Sequence, residues 1–103
     1  SLFIFMVLLA ALTGQAQVRH APVVVQGRVV DESTGQPVAN AHVYIVEGEE
    51  ETLTGNDGGF RIESWQKAPL TLTVNNYKQY RKTSITISNP AQRQLVRLRT
   101  KPS

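Results

Sequence analysis

Few side chains in this sequence are equipped for catalysis. Its imidazoles are His20 and His42, and a hydrolytic nucleophile needs such a base positioned beside it. His20 falls in a short polar lead-in and His42 in an apolar, strand-like run, so both read as exposed or internally satisfied histidines. Two histidines without convergent carboxylates make a poor zinc site, and the absence of cysteine removes the thiolate alternative. Asn56-Asp57-Gly58 has the look of part of a calcium loop. It lacks the further oxygen ligands and the closing glutamate of such a loop, and Asn, Asp and Gly together are better suited to a tight hairpin turn. The expectation is therefore a protein with no catalytic residue, no metal ligand and no cofactor.

Binding chemistry is better represented. Trp65, Tyr77 and Tyr80 lie near Lys78, Arg81 and Lys82, and aromatic rings beside cations recur where proteins hold sugars and other ligands. These six residues form the candidate ligand surface. The competing reading makes Trp65 and Tyr77 caps on the edge of a core, since large aromatics are mostly buried. Charge is also segregated. The eight acidic residues all lie at or before Glu63, whereas eight basic residues and no acidic one follow Ser64, within a net charge of +3. Two solvated faces account for this; a basic surface for anionic sugars, lipid head groups or an acidic neighbouring domain is the sharper alternative. No basic motif interleaved with aromatics points to nucleic acid.

The elements that must position these residues are short strands. Val23 to Val30 is rich in β-branched residues, with Val25, Gly27 and Val29 on one face. A turn at Asp31 to Pro37 leads to a second strand, Ala41 to Ile45, with His42 and Tyr44 opposite the apolar face. Glu47 to Glu51 reads as a solvated connection and Thr52-Leu53-Thr54 as a short strand. Phe60-Arg61-Ile62 follows the hairpin turn. Leu70, Leu72 and Val74 alternate with Thr71 and Thr73, Asn75-Asn76 marks a turn, Tyr77 to Ile87 carries the basic aromatic segment into another alternating run, and Gln94 to Leu98 is the last strand. Seven short strands without an amphipathic helix predict an all-β, antiparallel sandwich of the immunoglobulin-like kind.

Ahead of this domain, Leu2 to Leu12 is uninterrupted and apolar, and Gly14 and Ala16 put small residues at −3 and −1 before Gln17. That is the apolar core and cleavage region of a secretory signal, short of the about 20 residues that span a bilayer. The chain starts at Ser1 without a basic n-region, as a signal truncated at its N-terminus would. The expected organisation is a signal helix over residues 1–16 cut between Ala16 and Gln17, a lead-in over 17–22, the sandwich over 23–99 and a tail over 100–103. The mature chain is then exported to the periplasm, the outer membrane or the exterior, with no membrane span of its own. Export without cysteine leans toward a bacterial envelope.

Taken in order, Val25-x-Gly27-x-Val29-x-Asp31, Thr34-Gly35-Gln36-Pro37-Val38, Asn40-Ala41-x-Val43 and Thr52-x-Thr54-x-x-Asp57-Gly58-x-Phe60-x-Ile62 resemble the carboxypeptidase regulatory-like domain. The resemblance covers Val23 to Leu98. Gly27, Asp31, Gly35, Pro37, Ala41, Asp57, Gly58 and Phe60 carry it, and all are scaffold positions, so it speaks to fold more than to function. Asn76-Tyr77 stands where members often have Gly-Tyr. The resemblance implies an accessory, non-catalytic module whose partners are envelope proteins, an adjoining receptor or peptidase domain, or glycans. Such domains occur beside zinc-peptidase domains, at the N-terminus of TonB-dependent outer-membrane receptors and as small exported proteins. Two sandwich chemistries do not fit. The urate-pathway hydrolases that share the transthyretin-like fold end in Tyr-Arg-Gly-Ser, whereas this sequence reads Leu98-Arg99-Thr100-Lys101-Pro102-Ser103. An internal Lys–Asn isopeptide bond needs a lysine where the first strand has Arg28.

Overall fold

The computed structural model describes residues 21–102, which form seven strands: β1 (Val23–Asp31), β2 (His42–Val46), β3 (Glu50–Leu53), β4 (Gly59–Ser64), β5 (Leu70–Asn75), β6 (Thr83–Ile87) and β7 (Gln94–Leu98). They make two sheets, one ordered β4-β1-β7 and the other β3-β2-β5-β6. The expected signal helix, the Ala16–Gln17 cleavage point and His20 lie outside the described residues. The alternation read from the sequence sets the core. Val25, Val29, Phe60, Ile62, Val96 and Leu98 of the first sheet meet Val43, Leu70, Leu72, Val74 and Ile87 of the second.

The sandwich is not wholly antiparallel. β7 runs parallel to β1, with Val29 opposite Val96, because the chain leaves the first sheet after β4, builds β5 and β6 in the second, and returns to the free edge of β1. Glu50 and Glu51 also depart from expectation by pairing in β3. Glu50 is fixed there by a job across the sandwich edge, accepting hydrogen bonds from Ser64 Oγ (2.6 Å) and the Trp65 N–H (2.8 Å). Tyr44 and Thr73, directly opposite each other on the outer face, are buried as well. Thr73 shares a hydroxyl hydrogen bond with Ser84, and the His42 ring lies over Tyr44.

Backbone crowding around β1 explains two glycines. Gly27 stands opposite Phe60, and a Cβ there would strike the Gln94 carbonyl and sit 2.9 Å from the Phe60 ring. Gly58 has φ 77°, and a Cβ on it would strike the Val29 carbonyl. The same turn is closed by the Gly59 N–H on Asp57 Oδ1 (2.8 Å), but β3 and β4 lie in different sheets, so the expected hairpin is instead a tight turn that carries the chain from one sheet to the other.

Two polar ties complete the frame. Thr54 is buried, donating its hydroxyl to the Val38 carbonyl (2.7 Å) and accepting the Ala41 N–H (2.9 Å). Asp31 anchors its own turn by accepting the Ser33 and Thr34 N–H groups on Oδ1, with Gly35 at φ 75°. Its Oδ2 accepts the Tyr80 hydroxyl at 2.7 Å. Tyr80 is 6% exposed and lies between β5 and β6, so this bond joins the two sheets. The tail is tied down too: Thr100 bridges Tyr80, and the Lys101 N–H donates to the Gln79 carbonyl.

Thr54→Val removes a donor and an acceptor at once and strands the Ala41 N–H and the Val38 carbonyl. Chemical denaturation should show a loss of about 1–3 kcal/mol. The Tyr80 hydroxyl, followed by the Thr34 N–H, holds the Asp31 carboxyl below its ordinary range; the Asp31 carboxylate, followed by burial, raises the Tyr80 phenol. A depressed carboxyl stabilises the fold above its unfolded pKa, and that contribution is lost as pH falls through the depressed value. A raised phenol stabilises below its unfolded pKa, and that contribution is lost as pH rises through the raised value. Tyr80→Phe should therefore lower Tm most at neutral pH, with the gap to wild type narrowing below about pH 4 and above about pH 10. An equal gap across that range would mean that the bond carries no charge-dependent stability.

Candidate functional site

The loop that follows β5 is folded on two asparagines. Asn75 Oδ1 accepts the Tyr77 N–H (3.0 Å), and Asn76 Oδ1 accepts the N–H groups of Lys78 and Gln79 (3.3 Å each). These turns place Tyr77 at φ 66°, a left-handed conformation that disfavours side chains with a Cβ by about 1–2 kcal/mol. Lys101 Nζ secures the same residue by donating to its carbonyl (3.2 Å). Tyr77 is thus held in a conformation that its side-chain type does not favour, with 59% of its surface open to solvent.

Its hydroxyl reaches β2. Tyr77 Oη lies 3.1 Å from His42 Nδ1, and His42 Nε2 lies 2.8 Å from Glu51 Oε2 on the neighbouring strand β3. A carboxylate only accepts, so Nε2 carries the proton toward Glu51. In the neutral ring Nδ1 then accepts the Tyr77 hydroxyl. The Gly48 N–H, together with His42, lowers the pKa of Glu51. The His42 and Tyr77 rings stack with centroids 6.2 Å apart. Both nitrogens of His42 are engaged, so its ring links Glu51 of β3 to Tyr77. Among the described residues no three His, Asp or Glu side chains gather as a metal cluster.

The expected six-residue ligand surface does not hold together. Trp65 is 67% exposed, but it follows β4 and precedes β5, whereas Tyr77 follows β5. The six residues of β5 put roughly 20 Å between those ends. Trp65 borders a separate hollow of about 230 Å³ with Val23, Gln66 and Lys67. Tyr80 leaves the surface altogether, drawn inward by Asp31. Arg81 and Lys82 are exposed beyond it, so Tyr77 and Lys78 are the pair that remains together. The edge-cap alternative fails as well, since neither Trp65 nor Tyr77 is buried.

Beside Tyr77 the 76–79 loop faces the Ala39–Asn40 turn across an open hollow of about 310 Å³ lined by Ala39, Asn40, Asn76, Lys78 and Gln79. Asn40 is also left-handed, at φ 58°. Asn40, Asn76, Gln79 and Glu51 were not among the expected site residues. The signal for the first two was their type, because asparagine tolerates left-handed backbone and caps turns with its own amide. Glu51 carried no signal, since a glutamate in an acidic run reads as solvated.

The architecture can be set against known proteins. No curated protein matches the chain. The profile of the carboxypeptidase regulatory-like domain family matches residues 24–99, and that interval takes in all but the first residue of β1, everything through β7, the turn on Asp31, the Thr54 tie and the turn at Gly58. This β-sandwich belongs to the carboxypeptidase regulatory-like domain family.

Proposed function

We propose that this chain is an exported, non-catalytic module that works by contact with a partner in a bacterial cell envelope. The observation that carries the reading is the match of residues 24–99 to the carboxypeptidase regulatory-like domain family, whose resemblance implies an accessory β-sandwich rather than a catalyst. The apolar stretch Leu2–Leu12 with Gly14 and Ala16 before Gln17 supports export. Membership of an accessory-domain family supports a role beside other domains or proteins.

The family's occurrence in front of outer-membrane receptors favours one specific form of this reading, in which the sandwich is the N-terminal extension of a TonB-dependent receptor for glycan or peptide uptake. Cell fractionation with mass determination and N-terminal sequencing of the native product tests both. The expected product is in the envelope fraction and begins at Gln17. A polypeptide of several hundred residues in the outer membrane selects the receptor form, and one of about the present length selects the free module. A cytoplasmic product that retains Leu2–Leu12 would overturn the proposal.

A further inference from the structure

We infer that the hollow between Asn40 and the 76–79 loop and the exposed ring of Tyr77, which sits between two lining residues without itself lining the hollow, make one saccharide site, in which one sugar ring stacks on Tyr77 and hydroxyl groups meet Asn40, Asn76 and Lys78. This names a ligand for the contact role proposed above and rests on that reading.

Three independent features converge. The first is the conformation of Tyr77. An aromatic residue at φ 66° is unusual, and unfavourable backbone that persists under several restraints is concentrated where a side chain must be displayed. The restraints here are the Asn75 amide on its N–H, the Lys101 ammonium on its carbonyl and His42 on its hydroxyl. The second is what remains available on the ring. Its hydroxyl is occupied and one side is turned to His42, yet the residue is 59% exposed. An aromatic face held open suits the apolar C–H face of a sugar.

The third is the lining of the hollow. Asn76 spends its carbonyl oxygen on Lys78 and Gln79 and has two amide N–H donors left. Neither the Asn40 amide nor the Lys78 ammonium has a hydrogen-bond partner among the described residues. Planar amides match adjacent hydroxyl groups, each of which donates and accepts. The lining includes one cation and no carboxylate, so it takes a neutral sugar or one bearing a single carboxylate. At about 310 Å³ the hollow lies at the small end of ligand sites, which fits one or two sugar rings. Trp65 belongs to a different place and is excluded from the site.

The test is a titration of ¹⁵N-labelled protein with cello-, malto-, xylo- and manno-oligosaccharides and with oligogalacturonate, read by amide chemical shifts and run in parallel on variants. At least one sugar is expected to move the signals of Asn40 and residues 76–79 in a saturable way. Tyr77→Gly, which relieves the backbone and deletes the ring, should keep the Tm within a few degrees and weaken binding by about tenfold or more. Tyr77→Phe should retain binding, and Trp65→Ala should leave it unchanged. The inference is overturned if no oligosaccharide moves those signals, if binding survives Tyr77→Gly, or if the shifts gather around Trp65. Because the titration is indifferent to compartment, its failure leaves export and contact with a protein partner standing. Cytoplasmic residence would equally leave a positive titration intact.

Discussion

The middle of β1 is gripped through both backbone polar groups of one residue. The Val29 N–H donates to the Gly58 carbonyl at 2.8 Å, and the Val29 carbonyl accepts the Val38 N–H at 2.9 Å. The first bond requires the turn between β3 and β4 to lie almost against the strand, and Gly58 allows it because it has no Cβ to meet the Val29 carbonyl. Everything else is registered from this point. The turn on Asp31 starts two residues later, the Pro37–Val38 segment is carried toward the second sheet, and Thr54 then pins Val38 and Ala41 to β3. A substitution at Gly58 would move the turn between β3 and β4, the Pro37–Val38 segment and the first residues of β2 together.

That rigidity is what allows a loop to hold an unfavourable shape. β2 and β5 are adjacent, with His42 opposite Asn75, so the start of one strand and the end of the other form a fixed base for residues 76–79. Tyr77 is left-handed because Asn75 and Asn76 fold the chain under it and because Lys101, held by the Gln79 carbonyl, reaches back to it. The glutamate of β3 contributes through His42. A carboxylate, an imidazole and a phenol in line would suggest catalysis by their types alone. In the structure they form a chain of hydrogen bonds that links β3 to the 76–79 loop, with the tyrosine largely exposed at its end.

Much of the scaffold was legible because its signals are local. Period-two alternation located β5 and β7, and Gly35, Pro37, Asp57 and Gly58 marked turns that the structure contains. What was hidden depends on partners distant in sequence. Nothing in Gln94–Leu98 says that it runs parallel to β1, because pairing direction is set by the route of the intervening chain. Nothing near Tyr80 reveals Asp31, 49 residues away, so a tyrosine in a basic stretch read as surface. Glu50 looked solvated for the same reason, its partners Ser64 and Trp65 being on another strand and its connection.

The separation of Trp65 from Tyr77 shows how a shared scaffold acquires individual character. Both aromatics are exposed, both follow a strand, and by composition they are equivalent. Trp65 has its backbone held by Glu50, but nothing polar faces its hollow except Gln66, Lys67 and the buried Ser64, and its backbone is not among the positive-φ positions. Tyr77 has its N–H, its carbonyl and its hydroxyl all fixed, at a cost in conformational energy that glycine at the same position would avoid. Core residues such as Val29 and Leu72 need only fit one another. A side chain that is restrained at three points and still faces water contributes little to that fit, so its restraint is best understood as preparation for something outside the chain.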